Sequence, residues 1–271
     1  MINEIEIEDI GRLIEILNKM PNHIIYRGQA DARWGLTSSL ERLLEPISKE
    51  EAFDFLKYEK FAIKEFTSRY HIYTQNRPEQ LSRFEMLSFM QHYGTPTRLI
   101  DFSSSPYLAL YFALESYNPL SQDDFSLYAL DYKHIMSKTH DAIKNSDNKY
   151  EKKLRKAEDA GKTDAIFEKI VERFNLDLVW VDEPDIVNNR IERQAGTFIT
   201  CLNRNKNTEE ILNSEGYKEC DMNKYIIHNS LYEGVFTLLR KMNISSRSVY
   251  GDLEGLGKAV KMELQAYARP M

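Results

Sequence analysis

The chain has 271 residues, of which 42% are hydrophobic and 29% charged, and its formal net charge is −6. This composition is typical of a folded protein with a sizeable core and excludes a largely disordered chain. The acidic balance argues against a protein that coats nucleic acid nonspecifically, because such binding depends on Lys and Arg replacing the counterions of phosphates.

The first nine residues are acidic and mixed, and no run approaches the roughly 18 apolar residues that a membrane span needs. We therefore expect a cytoplasmic protein without a membrane partner. A single pair of cysteines, Cys201 and Cys220, is expected to stay reduced and is assigned no role.

The first half of the chain alternates helical and strand patterns. Apolar spacing of 3 to 4 residues predicts helices, and short β-branched or alternating runs that end at glycine or a turn predict strands. Gly94 is expected to cap a helix that Pro96 prevents from continuing. In chain order we predict a helix over 5–19, a strand over 23–28, helices over 38–44, 48–69 and 83–93, and a strand over 97–102.

The second half is predicted to begin with a helix whose N-terminus is formed by Ser103, Ser104, Ser105 and Pro106, since serine caps helices and proline suits their first turn. Further elements follow at intervals. They are strands over 125–132, 176–181, 196–201 and 224–227, a helix over 230–242, and a short helix after Gly251 that Asp252 is expected to cap.

Residues 138–170 carry dense Lys, Asp and Glu with few large apolar residues. This pattern is typical of a solvated helical face. We therefore expect one domain over 1–271 that contains a charged, lightly packed and mobile helical insertion at 138–170.

Two polar motifs are candidates for binding an anion. Tyr26-Arg27-Gly28-Gln29 places a guanidinium at a strand end, beside a glycine that would let a ligand approach the backbone. The alternative is a salt-bridged structural arginine. Gln91–Asp101 contains His92, Thr97, Arg98 and Asp101, and the serine-rich helix start that follows could hold a pyrophosphate.

Structural alternatives remain for the second motif, since His92 could be a core histidine and Arg98 could pair with Asp101. Two later motifs, 188–198 and 250–256, are also polar. The chain lacks a Walker A loop, a G-x-G-x-x-G loop, a nucleophile elbow, an H-E-x-x-H pair and a C-x-x-C pair, so the corresponding enzyme classes lose support and no metal is expected.

In this order the motifs resemble the FRG-domain family, which is named for an aromatic-Arg-Gly sequence that is Tyr26-Arg27-Gly28 here. The resemblance spans roughly residues 24–260 and excludes the charged stretch 138–170. It is carried by 90–94, 96–99, Asp101, 109–113, 190–191, 194–196, Phe198 and 252–256.

A weaker likeness connects the chain to ADP-ribosyltransferases of the Arg-Ser-Glu type, which bind NAD. Arg27, then Phe102–Ser105 with Ala109 and Phe112, then Gln194–Phe198 are similar to the motifs of that group. The Glu-x-Glu motif of these enzymes is absent before Gly196, where Arg190, Glu192 and Gln194 stand instead. Either Glu192 or Glu254 supplies the missing carboxylate, or the site binds nucleotide without cleaving it.

The resemblance implies an α+β fold with a split, mixed and mainly antiparallel sheet of about five to seven strands, flanked by helices and similar to that of ADP-ribosyltransferases. It implies an NAD-dependent toxin or phage-defence effector that modifies RNA, DNA or protein and has an antitoxin or chaperone as a partner. Alternatives are a non-catalytic sensor of nucleotide or nucleic acid and a structural adaptor. The implied catalytic residues are Arg27, Glu254, Glu192 and Gln194, and the implied cofactor-binding residues are Tyr26, Arg27, Gly28, Gln29, His92, Thr97, Arg98, Asp101, Ser103, Ser105 and Arg190.

Overall fold

The structure is a computed structural model that describes residues 1–49, 53–73, 81–146, 149–159, 166–171, 176–183 and 189–267, without the side chains of 157–158, 169–170 and 189–190. Its strands form one seven-stranded sheet in the order β1-β7-β4-β2-β3-β6-β5. The strands are β1 (Asn3–Ile7), β2 (Ile24–Gln29), β3 (Ile100–Ser103), β4 (Phe125–Asp131), β5 (Val179–Asp182), β6 (Gly196–Cys201) and β7 (Met222–Ile227).

Only β1 and β7 run parallel to each other, and every other neighbouring pair in this sheet is antiparallel. The prediction of an α+β fold with a mixed, mainly antiparallel sheet is therefore confirmed. The α-helices of the described residues are α1 (Ile10–Lys19), α2 (Ser39–Leu44), α3 (Phe55–Arg69), α4 (Arg83–His92), α5 (Pro106–Ser116), α6 (Tyr132–Ser146), α7 (Tyr150–Asp159), α8 (Asn189–Arg193), α9 (Thr208–Leu212), α10 (Tyr232–Lys241), α11 (Ser246–Tyr250) and α12 (Leu253–Tyr267).

Side-chain caps decide where several helices begin. Asp9 accepts a hydrogen bond from the Arg12 amide at the start of α1, and Asp54 accepts one from the Leu56 amide at the start of α3. These caps correct two predicted boundaries. The helix over 5–19 begins at Ile10 because the preceding residues form β1, and the helix over 48–69 begins at Phe55.

The C-terminal elements also differ from the prediction. The helix after Gly251 is not short, since α12 extends over 15 residues, and α9 and α11 were not predicted. The predicted cap is confirmed, because Asp252 accepts a hydrogen bond from the Gly255 amide at 2.8 Å. Gly94 has a positive φ of 80°, as expected of a glycine that ends a helix.

The sheet separates two hydrophobic clusters, because successive side chains of a strand point to opposite faces. In β2, Ile25 belongs to one cluster, and Ile24 and Tyr26 belong to the other. In β4, Tyr128 belongs to the cluster of Ile25, and Leu127 belongs to the cluster of Tyr26. Helix α5 packs on the face of Tyr26, while α4 and α6 cover the face of Ile25.

The segment 138–170 is not lightly packed where the structure describes it. Thr139, Ile143, Tyr150 and Phe167 are fully or almost fully buried, and the Thr139 hydroxyl donates to the Val179 carbonyl at 2.7 Å. A few apolar residues at helical spacing are therefore enough to anchor a segment whose other residues are charged. The expectation of a loosely attached insertion is wrong for these residues, while 147–148 and 160–165 lie outside the described part.

Cys201 and Cys220 are both buried, and they do not form a disulfide. Burial raises the pKa of the Cys201 thiol to about 12, so it stays protonated at neutral pH. None of the described helices is both long enough and apolar enough to cross a membrane.

Candidate functional site

The sheet opens between β2 and β3. Six register pairs join β2 to β4, whereas the single pair of Tyr26 with Ser103 joins β2 to β3. Past this pair, the Arg27 side chain spans the gap, and its Nη1 donates to the Asp101 carbonyl at 2.7 Å. The two strands are thus held together by an arginine side chain where a regular ladder would have backbone bonds.

A cavity of about 1060 Å³ lies at this opening. That volume is large enough for a nucleotide or a dinucleotide. Its lining combines β2, β3, β6, the loop after β2, α2, α5, α8 and the C-terminal helices. The lining side chains that carry charge are Arg27, Arg33, Arg42, Glu45, Asp101, Glu115 and Lys258.

Arg27 is one of the cations that line the cavity. Burial lowers the pKa of its guanidinium, the nearby positive charge of Arg42 adds to this, and the negative charge of Asp101 opposes it. Arginine nevertheless remains protonated in proteins. Among the described residues Arg27 has no carboxylate within ion-pair distance, and its Nε has no hydrogen-bond partner. The guanidinium is therefore a partly desolvated charge that an anion would neutralise.

The other charged groups of the cavity divide into paired and unpaired ones. Arg33 pairs with Asp31 at 2.6 Å and with Asp123, and Lys258 pairs with Glu115 at 3.3 Å and with Glu254. By contrast, Arg42, Glu45 and Asp101 have no ion-pair partner within the described ranges. The cavity thus holds uncompensated groups of both signs.

Two glutamine side chains add polar atoms that the protein leaves unused. Gln29 is 5% exposed and donates through Nε2 to the Gly35 carbonyl at 3.0 Å, but its Oε1 accepts no hydrogen bond from the described residues. The buried Nε2 of Gln194 likewise has no partner there. Buried polar atoms are normally bonded, so an unused acceptor and an unused donor in one cavity favour a polar ligand.

Gly28 has a different role from the predicted one. A Cβ atom at this position would lie 1.9 Å from the Ala109 carbonyl oxygen. The missing side chain therefore lets the start of α5 approach β2, rather than letting a ligand approach the backbone.

The predicted pyrophosphate seat at Ser103–Ser105 is occupied by the protein's own hydrogen bonds. Ser103 Oγ donates to the Gln194 carbonyl and accepts from the Ser105 amide, and Ser105 Oγ accepts from the Leu108 amide. The Ser104 amide donates to the carbonyl of Ala195, which has a positive φ of 45°. Ser103 lines the cavity and Ser105 does not. These serines fix the turn between β3 and α5 instead of presenting free amides.

Arg98 does not line the cavity, so it does not join Arg27 in contacting one ligand, as expected of two residues implied to bind the same cofactor. Arg98 is 4% exposed, its Nε lies 3.1 Å from Glu59 Oε1, and its guanidinium lies over the Phe167 ring at 5.1 Å. The alternative, an ion pair of Arg98 with Asp101, is not formed either, because Glu59 of α3 is the carboxylate beside Arg98. Arg98 is part of the core.

His92 and Thr97 lie away from the cavity as well. Thr97 is fully buried, bonds the side chain of Gln91 and accepts a hydrogen bond from the Leu99 amide. The His92 ring stands edge-on to Tyr93 with centroids 4.6 Å apart. His92 is the last residue of α4, and Thr97 lies in the turn that leads from α4 into β3.

Neither predicted glutamate lines the cavity. Glu192 is exposed on α8, and Glu254 is exposed on α12, where it pairs with Lys258 at 3.2 Å. The side chain of Arg190 is outside the described part of the structure. Of the fourteen predicted site residues, seven line the cavity, namely Tyr26, Arg27, Gly28, Gln29, Asp101, Ser103 and Gln194.

Sequence reasoning missed a second group of lining residues, which includes Trp34, Arg42, Glu115, Tyr250 and Lys258. Glu115 accepts hydrogen bonds from the hydroxyls of Tyr111 and Tyr250, both at 2.8 Å. Burial raises the pKa of Tyr250 to about 12, so this hydroxyl remains a donor. A tryptophan directly before a glycine was the available sequence feature for Trp34, whereas only tertiary structure brings Glu115 and Tyr250 together.

No group of three or more His, Cys, Asp or Glu residues within the described ranges is arranged to hold a metal ion. The cavity contains positive side chains, unpaired carboxylates, unused amide atoms and an exposed indole. Together these groups suit an organic ligand that carries phosphate.

The fold and the cavity define an α+β protein whose candidate site lies where an aromatic-Arg-Gly strand separates from its neighbour. Residues 22–122 match the family model described as the FRG domain, which confirms the resemblance to that family over this region. No curated protein and no solved structure matches the chain.

Proposed function

We propose that the cavity around Arg27 binds NAD and that the protein is an ADP-ribosyltransferase-like enzyme. The observation that carries the proposal is the guanidinium of Arg27, which has no carboxylate partner within the described residues although burial disfavours its charge. A phosphate oxygen would satisfy both the charge and the free Nε donor. Arginine is well suited to this because its planar fork can bind two phosphate oxygens.

The signs of the remaining charges agree with NAD. Its pyrophosphate is negative, while its nicotinamide ring carries a positive charge until the ring leaves. Arg27 and Arg42 would face the pyrophosphate, and Asp101 would lie beside the positive part of the molecule. Asp101 is exposed in a cavity that Arg27 also lines, so a cation and a carboxylate are available within one ligand's reach.

In this proposal the bond between ribose C1′ and the nicotinamide nitrogen breaks, and its electron pair leaves with neutral nicotinamide. A nucleophile of the acceptor forms the new bond at C1′ and releases its proton. Asp101 would stabilise the positive charge that develops on the ribose, as groups placed where charge develops do in other enzymes. Asp101 thereby takes the role first assigned to Glu192 or Glu254, which lie outside the cavity lining.

The acceptor, on this proposal, is RNA, DNA or protein, and the cellular role is that of a toxin or phage-defence effector controlled by an antitoxin or chaperone. This role rests on the family resemblance. The second candidate is a sensor that binds the nucleotide without cleaving it, and it is favoured by the position of both predicted glutamates outside the cavity.

The first test is calorimetric titration of NAD into the wild type, Arg27→Ala and Arg27→Lys. Loss of a charge-assisted bidentate contact, each bond worth about 1.5–3 kcal/mol, should weaken binding at least tenfold in Arg27→Ala. Arg27→Lys should recover part of the affinity because it keeps the charge without the fork. Arg12→Ala, which removes an exposed arginine outside the cavity lining, is the matched control.

Asp101→Asn separates catalysis from binding. It should keep NAD affinity within a few-fold but reduce the release of nicotinamide, measured by chromatography, by at least 100-fold. Circular dichroism would verify that each variant is folded. Equal affinity in the wild type and Arg27→Ala would exclude the role of Arg27. NAD binding without nicotinamide release, with all nucleic-acid and protein acceptors tried, would establish the sensor instead.

A further inference from the structure

The loop after β2 presents an exposed aromatic side chain at the cavity. Trp34 is 52% exposed and lines the same cavity as Arg27. Its ring makes no contact with another aromatic ring of the described residues. What distinguishes Trp34 from other exposed apolar residues is its place beside the polar cavity, where it offers a planar aromatic face to a bound molecule.

Three hydrogen bonds hold the backbone from the Trp34 carbonyl to the Leu36 amide. The Tyr128 hydroxyl donates to the Trp34 carbonyl at 3.1 Å, Gln29 Nε2 donates to the Gly35 carbonyl at 3.0 Å, and the Leu36 amide donates to Glu209 Oε2 at 2.5 Å. The donors and the acceptor come from β4, β2 and α9. The loop is therefore anchored at three successive residues, twice to the sheet and once to α9.

The Tyr128 anchor keeps its donor proton at neutral pH. Burial raises the pKa of Tyr128, and the charge of Glu209 raises it further, so the hydroxyl keeps the proton that it donates. Gln29 is a member of the aromatic-Arg-Gly-Gln motif and follows Arg27 by two residues. One strand thus positions both the guanidinium and the loop that carries the indole.

We propose that Trp34 stacks on a planar base of the ligand whose phosphates Arg27 binds, which makes Trp34 a specificity-determining residue for nucleotides over inorganic phosphates. This inference rests on the proposed function. Indole is suited to the task because a fixed aromatic face binds any planar heterocycle, and one such contact contributes enough to change affinity roughly tenfold. Either the adenine or the nicotinamide of a dinucleotide offers the required plane.

The chain contains only two tryptophans, and the other, Trp180, is 3% exposed. Fluorescence therefore gives a readout of stacking. NAD should quench the emission of the wild type, and inorganic pyrophosphate should bind with little quenching. Trp34→Phe should abolish the quenching while retaining most of the NAD affinity, because phenylalanine can still stack.

Calorimetry with Trp34→Ala tests how much stacking by Trp34 contributes to the affinity for NAD. Affinity for NAD should fall about tenfold and affinity for pyrophosphate should stay within twofold. Phe61→Ala, which removes an even more exposed aromatic residue that does not line the cavity, should change neither. Titration with ADP-ribose, which lacks nicotinamide, distinguishes the two rings. If Trp34→Ala weakens the binding of ADP-ribose as much as that of NAD, Trp34 stacks on adenine. If it leaves the binding of ADP-ribose unchanged, Trp34 stacks on nicotinamide.

The outcomes separate the two proposals. If Trp34→Ala binds NAD as the wild type does, or loses pyrophosphate and NAD equally, stacking by Trp34 is excluded while binding at Arg27 stands. If the wild type binds neither NAD nor pyrophosphate, both proposals are excluded.

Discussion

Arg27 and Arg98 show how the surroundings of one residue type decide its use. Arg27 lies within β2 and Arg98 lies just before β3, and the sequence predicts that both bind phosphate. Arg98 meets a buried carboxylate and an aromatic ring, whereas Arg27 meets a backbone carbonyl and an open cavity. A neutralised guanidinium has little to gain from a phosphate. The un-neutralised one gains a counter-ion, so the same side chain is structural at one position and a ligand contact at the other.

Gly28 leads to a prediction at the residue scale. Gly28→Ala should lower the free energy of unfolding by about 1–3 kcal/mol, because the new Cβ would overlap the Ala109 carbonyl and force β2 and α5 apart. Urea denaturation followed by circular dichroism measures this change.

Gly257→Ala is the control for this substitution. Nothing lies within 4 Å of a Cβ at Gly257, which is in α12, and alanine there should stabilise the helix by about 0.5–1 kcal/mol. Equal stabilities of Gly28→Ala and the wild type would show that β2 and α5 can separate at little cost.

At the scale of elements, the sequence predicted most strands and helices because their apolar periodicity and caps are local. The strand over 196–201 is found without change, and the helix over 83–93 is one residue too long. The short strand β1 was missed because it is largely exposed and was included in the pattern of the next helix. Its place depends on parallel pairing with β7, more than 200 residues away. No local pattern carries that information.

The candidate site was also predicted where the signal is local and missed where it depends on distant parts of the chain. Arg27 and Asp101 were found because each lies in a dense polar motif, while Glu115 and Lys258 lie on helices outside such motifs. Tyr250 lies in the polar motif 250–256, but nothing in that motif indicated that its hydroxyl reaches Glu115 on α5. The error over Arg98 has a related cause. Its partner Glu59 is on α3, 39 positions earlier, and a buried acid in the middle of a charged helix looks like a solvated one.

The pair of Arg98 and Glu59 connects α3 to the start of β3 and gives a prediction for these elements. Arg98→Met should destabilise the protein by about 3–5 kcal/mol, because Glu59 would be left buried without a cation. The double variant Arg98→Met with Glu59→Met should be clearly more stable than the single one. Thermal unfolding of all three proteins measures the difference.

The exposed pair of Lys138 and Glu219 provides the comparison, and Glu219→Gln should change stability little. NAD affinity of the folded Arg98→Met protein should equal that of the wild type. A selective loss of NAD binding without loss of stability would return Arg98 to the site.

At the scale of the whole molecule, the sheet extends well beyond the region that matches the FRG domain. Residues 22–122 contain β2 and β3, but β4, which forms six register pairs with β2, and β6, which pairs with β3, both follow this region. The core extends further still. Phe167 packs against Phe84 with ring centroids 4.9 Å apart and lies under Arg98, so the segment 138–170 completes the packing around α4.

We therefore predict that residues 22–122 do not fold as an isolated fragment. Without their neighbours, β2 and β3 would share one register pair and would leave unpaired edges together with apolar faces exposed to water. The fragment should show no cooperative thermal transition by circular dichroism and poorly dispersed amide signals in a proton-nitrogen correlation spectrum. The full chain, measured under the same conditions, should show a cooperative transition and dispersed signals. A fragment with both properties would mean that β2 and β3 form a stable unit without β4 and β6, and that the cavity at their opening does not depend on the rest of the sheet.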